Sequence, residues 1–98
     1  MIEVIQTDVF QGWLKGLRDR QAKTRIVARI LRLADGNPGD VKPVGEGLSE
    51  MRINYGPGDR VYFMQRGAVL IIVLCGGDKA TQARDIDKAR TLSKDWRD

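Results

Sequence analysis

Histidine is absent from the 98 residues, and cysteine occurs once, at Cys75. The first absence removes Ser/His/Asp and Cys/His nucleophilic triads; the two together leave no ligand set of the kind that holds zinc or another transition metal. A lone thiol closes no intramolecular disulfide, so nothing points to an oxidising compartment and the expected location is cytoplasmic. Long apolar runs are lacking too. The longest, Ala68 to Cys75, is eight residues, far below the ~20 that a spanning helix needs. Met1 to Gln6 carries neither the basic stretch nor the apolar core of a secretion signal. No cofactor is implied, and any chemistry must come from Arg, Lys, Tyr, carboxylates or the backbone.

A chain of 11.0 kDa is one small domain, expected over 1–98, and at this size it buries only about 60 to 70% of its unfolded surface. Such a fold is marginal, and a permanent partner would help it. Lys plus Arg is 17 against 13 for Asp plus Glu, giving +4. The excess sits in the first third, where residues 1–34 hold seven basic and three acidic groups. A basic balance suits an anionic partner.

The pattern along the chain predicts α+β architecture. Met1 to Gln6 alternates as a short strand. Thr7 and Asp8 start a helix on which Phe10, Trp13, Leu14 and Leu17 recur at helical spacing, and Asp19 caps a second over about Arg20 to Ala34, where Ile26, Ile30 and Leu33 form the apolar stripe. The turn-rich Asp35 to Asp40 then changes the period to two. Val41 to Val44, Leu48 to Asn54, Arg60 to Arg66 and Ala68 to Cys75 read as an antiparallel sheet of three to four strands, ended by Gly76 and Gly77. Thr81 opens a last helix with Ala83, Ile86, Ala89, Leu92 and Trp96 on its broad apolar side. The expectation is a sheet with helices on one face and the other face open.

On that open face, alternation places Glu50, Arg52 and Asn54 on one strand and Arg60, Tyr62, Met64 and Arg66 on the next. Convergent guanidinium groups gain most from a phosphate gripped bidentately, and a phenol ring offers a base a stacking surface. Solvated strands also carry Arg and Tyr without any ligand. Gly76-Gly77-Asp78-Lys79 is a second candidate, since two glycines before a helix can admit an anion, although the spacing is not that of a phosphate loop. The third is the basic helix, with Arg25, Arg29 and Arg32 on one stripe among Arg18, Arg20 and Lys23; usually such a stripe is only a solvated face.

Four blocks in this order, Phe10-Gln-Gly-Trp-Leu-Lys-Gly-Leu-Arg-Asp, Gly36-Asn-Pro-Gly-Asp, Met51-Arg-Ile-Asn-Tyr-Gly-Pro-Gly-Asp-Arg-Val-Tyr-Phe and Leu74-Cys-Gly-Gly-Asp-Lys-Ala-Thr-Gln-Ala-Arg-Asp-Ile, resemble the RelE/ParE superfamily of bacterial toxins. The match is to its HigB-like branch of phage-derived addiction module killer proteins, and it covers about Phe10 to Ala89. The resemblance implies a type II toxin held by a cognate antitoxin that often carries a helix-turn-helix DNA-binding domain and so reaches operator DNA. Many members are endoribonucleases that cut mRNA on the ribosome and block translation; the ParE branch inhibits DNA gyrase instead.

Carried over residue by residue, Arg60 falls in the segment whose arginine binds the scissile phosphate, Arg52 matches a basic strand residue, and Lys79 stands where a basic residue follows glycine at the end of the last strand. These three are the expected catalytic residues. Tyr62, Lys42, Arg66 and Arg84 are the expected RNA contacts. The matching C-terminal region departs from the family, holding Arg84 and Asp85 and no histidine, so a general base is not evident; Lys42 or Lys79 would serve only with a lowered pKa. The resemblance therefore implies a metal-independent mRNA interferase, with gyrase inhibition as the alternative.

Overall fold

The computed structural model describes residues 2–96. In order they form β1 (Glu3–Gln6), α1 (Asp8–Gly16), α2 (Arg20–Ala34), β2 (Val41–Gly45), β3 (Leu48–Arg52), β4 (Arg60–Arg66), β5 (Leu70–Gly77), a 3-10 turn (Lys79–Thr81), α3 (Gln82–Ser93) and a final 3-10 turn (Lys94–Trp96). Local chemistry sets the boundaries. The Thr7 hydroxyl accepts from Phe10 N at 3.1 Å and donates to the Leu74 carbonyl at 2.6 Å, capping α1 and tying it to β5. Asp19 caps α2 by accepting from the amides of Gln21 and Ala22, two of the donors that a helix start leaves unpaired.

The strands make one five-stranded sheet in the order β1-β5-β4-β3-β2. The expected antiparallel meander holds for β2 to β5, and β1 joins the far edge parallel to β5. Between β2 and β3 the loop Glu46-Gly47 takes positive φ at both positions, 56° and 77°, the backbone hand that matches the twist of a tight hairpin.

Both faces of the sheet are covered. On one, Phe10 of α1 and Ile26, Ile30 and Leu33 of α2 pack with Met51, Val61, Phe63, Ile71 and Val73. On the other, Leu48, Tyr62, Met64, Ile72, Leu74 and Cys75 meet Ala89, with Ile86, Leu92 and Trp96 against them. The open face expected from the sequence is thus roofed by α3. The reason lies in β4 and β5: Val61 to Met64 and Ile71 to Cys75 are buried without interruption, as in strands covered on both sides. Burying each such side chain is worth roughly 1.5 to 3 kcal/mol.

Gly76 and Gly77 continue β5 instead of ending it. A Cβ on Gly76 would collide with the Trp13 ring, and one on Gly77 with the Asp85 carboxylate. Close packing of Trp13 and Asp85 is what the two glycines permit.

Candidate nucleic-acid interface

Arg52 and Arg60 are direct partners across β3 and β4. They border a cavity of about 380 Å³ together with Asp40, Asn54, Gly58 and Asp59. Like charges placed opposite each other repel, and each arginine has its own carboxylate. Arg52 bonds Asp40 through Nε at 3.2 Å and Nη2 at 2.8 Å, with both side chains about half exposed. An exposed pair of this kind contributes about 1 kcal/mol or less, so a phosphate can displace Asp40 at little cost.

Arg60 is held differently. Its side chain is 14% exposed, and Nη1 lies 3.2 Å from Oε1 of Glu50, which is 1% exposed. The other oxygen of Glu50 accepts from the Tyr62 hydroxyl at 3.1 Å and from Gln82 Nε2 at 2.7 Å. A buried carboxylate survives when its lone pairs are filled, and here β3, β4 and α3 each supply a group to fill or carry it. Arg60 Nε is buried and, among the described residues, has no hydrogen-bond partner. A buried N–H without an acceptor is rare. The guanidinium is therefore fixed at one end by Glu50 and keeps an unused donor.

Behind the cavity, Arg29 of α2 donates to the carbonyls of Arg52 at 2.7 Å, Pro38 at 3.1 Å and Asp40 at 3.2 Å. It clamps the Asp40 segment onto the end of β3, and burial lowers its pKa, with Arg32 adding to the effect. Arg25 lies 4.6 Å over the Tyr55 ring, and the Tyr55 hydroxyl donates to Asp19 at 3.0 Å. That bond lowers the Asp19 pKa and raises that of Tyr55. Two of the three cations in the sequence's basic stripe are thus engaged within the chain.

Lys79 is exposed and neighbours the cavity through the 54–58 loop, its Cβ 3.6 Å from where a Cβ on Gly58 would stand. Lys42 is exposed on the edge strand β2, outside the cavity lining. Arg66 stands at the far end of β4, six residues from Arg60 or roughly 20 Å along a strand. Arg84 is in the first turn of α3 and borders a second cavity. The fold brings together Arg52 and Arg60 with Lys79 beside them, and spreads Lys42, Arg66 and Arg84 over other surfaces.

Tyr62 requires a correction. The expected stacking ring is 0% exposed, beneath α3, and burial followed by the Glu50 charge raises its phenol pKa. It presents no face to a base; its hydroxyl positions Glu50. The anion-cradle reading of Gly76 to Lys79 is corrected as well. Asp78 caps its own turn, accepting from Ala80 N at 2.9 Å and forming a reciprocal box with Thr81, so the chain's own carboxylate occupies that end. Cys75 is buried, its thiol pushed up to about 12 by burial and by Asp85, which makes it unreactive.

Sequence reasoning missed Asp40, Gln82 and Asp59 as parts of the site, and it set Glu50 on the right face without its role as the partner of Arg60. The signal for Glu50 was present, since it shares a strand face with Arg52 two residues on. Those for Asp40 and Gln82 were not, because long loops and a helix carry them there.

The sequence profile described as "Phage derived protein Gp49-like (DUF891)" matches residues 12–94. A Haemophilus influenzae protein, named only as an uncharacterized protein, is 47% identical over 94 residues, covering 96% of this chain and 95% of the relative. Similarity over nearly the full length of both chains, with a profile match reaching from Gly12 in α1 to Lys94 beyond α3, places this chain in the Gp49-like family of phage-derived proteins.

Proposed function

We propose that the protein is the toxin of a toxin–antitoxin pair and an endoribonuclease that cuts mRNA on the ribosome, with the Arg52 and Arg60 cavity receiving the scissile phosphate. Membership in a phage-derived family is consistent with a toxin. The observation that carries the reading is Arg60: a guanidinium anchored by buried Glu50 that lines a cavity together with its cross-strand partner Arg52.

Cleavage would proceed by attack of a ribose 2′-oxygen on the adjacent phosphorus. Its proton passes to a base, the P–O5′ bond breaks, the 5′-oxygen takes a proton, and a 2′,3′-cyclic phosphate remains. The pentavalent intermediate carries extra negative charge, which fixed cations stabilise more than they stabilise the ground state. Arg60 and Arg52 do this across the strand pair, and Lys79 reaches the leaving oxygen from beside Gly58. The antitoxin neutralises the toxin by covering this cluster with an acidic or apolar segment.

Induced expression in cells tests the reading. The parent protein should arrest growth, and Arg60→Ala should relieve the arrest while keeping the parent's circular dichroism and antitoxin binding. Full toxicity of a folded Arg60→Ala protein would contradict it.

A further inference from the structure

A second cavity, of about 420 Å³, opens where the corner between α1 and α2 meets the start of the last helix. Trp13, Leu17, Ala22, Asp19, Asp59 and Asp78 contribute to its lining. The carboxylates differ in how they are satisfied. Asp19 caps α2 and accepts from Tyr55, Asp78 caps its own turn, and Asp85, on the same cavity, accepts from Thr81. Asp59 is 4% exposed and, among the described residues, its carboxylate accepts no hydrogen bond. Burial raises its pKa, and the negative charges of Asp78 and Asp19 add to the effect.

A largely buried residue whose carboxylate has no donor and two anionic neighbours weakens the chain that carries it. A cation supplied from outside offsets that cost, and the cavity's shape specifies which kind. The Trp13 ring is seated against the Gly76 backbone, where no Cβ fits, and lies tilted by 42° to Phe10 with 5.8 Å between ring centroids, so its position is fixed. A planar guanidinium stacks on an indole and pairs two N–H groups with one carboxylate; an ammonium does neither as well. Leu17 and Ala22 give an apolar surface for the methylene stem.

We propose that this cavity receives the side chain of an arginine presented by a partner protein, stacked on Trp13 and paired with Asp59. The partner is a polypeptide and not a free solute because Arg18, Arg84 and Lys88 border the same cavity and are exposed. They are placed to meet acidic residues flanking that arginine.

The probe is the capped tripeptide Glu-Arg-Glu, compared with the same peptide carrying citrulline, which keeps the shape and lacks the charge, and with free L-arginine. The readouts are Trp13 fluorescence in a Trp96→Phe protein and the melting temperature of the unmodified chain. The arginine peptide should give a saturable fluorescence change and raise the melting temperature. The citrulline peptide, free arginine and Asp59→Asn should each weaken binding about tenfold or more. Equal binding of the citrulline peptide, unchanged binding by Asp59→Asn, or no saturable response in either readout would overturn the proposal. Free arginine binding as tightly as the peptide would overturn the polypeptide as its source.

Discussion

Single side chains carry most of what is special here. Glu50 is the centre of the buried polar group, and its two oxygens are shared among Arg60, Tyr62 and Gln82. Replacing it by Leu leaves Arg60 with no internal counter-charge. The expected loss is about 3 to 5 kcal/mol, the cost of orphaning a buried ionic partner, read by urea denaturation. Tyr62→Phe removes one donor to Glu50 and should cost about 1 to 3 kcal/mol. Under the proposed function it should leave RNA binding intact, because the hydroxyl it removes is buried against Glu50; loss of RNA affinity without loss of stability would show that the hydroxyl reaches the ligand.

Asp59 gives a pH-dependent counterpart at the same scale. Its folded-state pKa is raised, so in the interval above the ordinary carboxylate value the native state holds the proton more tightly than the unfolded state does. The stability this contributes is present at acid pH and is lost as pH rises through the raised value. Asp59→Asn, which does not ionise, should flatten that part of the stability profile and raise the melting temperature at neutral pH. A neutral-pH melting temperature below the parent's would contradict the account of an unpaired carboxylate.

At the scale of elements, the connection between α1 and β5 rests on Thr7, which caps the helix and bonds the Leu74 carbonyl. Thr7→Ala should cost about 1 to 2 kcal/mol, with the loss seen as faster amide exchange in α1 before the rest of the fold. Elements were the part most legible in the sequence. The α2 bounds follow from Asp19 and the stripe Ile26, Ile30 and Leu33, and β4 follows from alternation between two glycine turns. What alternation misassigned was the second face of the sheet. Tyr62 and Met64 alternate with Val61 and Phe63 and read as an exposed row, whereas all four are buried. Alternation says which residues share a face and not what packs on it. The apolar side of α3, with Ile86, Ala89, Leu92 and Trp96, was visible and had to be buried against something; the only sheet surface not taken by α1 and α2 was the row assigned to solvent.

For the molecule as a whole, with both faces roofed, Arg52, Arg60 and Lys79 come together at the end of the sheet where β3, β4 and β5 meet the 54–58 loop and the 3-10 turn. The pairing of Arg52 with Arg60 was legible, because it needs only a short hairpin and a shared face. Asp40, the counter-ion of Arg52, was not, since it arrives from the loop after α2, nor was Gln82, which reaches Glu50 from α3. Among the described residues no helix is long and apolar enough to cross a membrane. Reconstituted translation on a defined mRNA, with 5′ ends mapped by primer extension, tests the central claim that the Arg52 and Arg60 cavity cuts RNA. The parent protein should create new ends only when ribosomes are present, and Arg60→Ala should lower their yield by at least about a hundredfold, as expected for loss of a transition-state contact. Intact mRNA with a parent protein that still arrests growth, or unchanged cleavage by a folded Arg60→Ala protein, would contradict it.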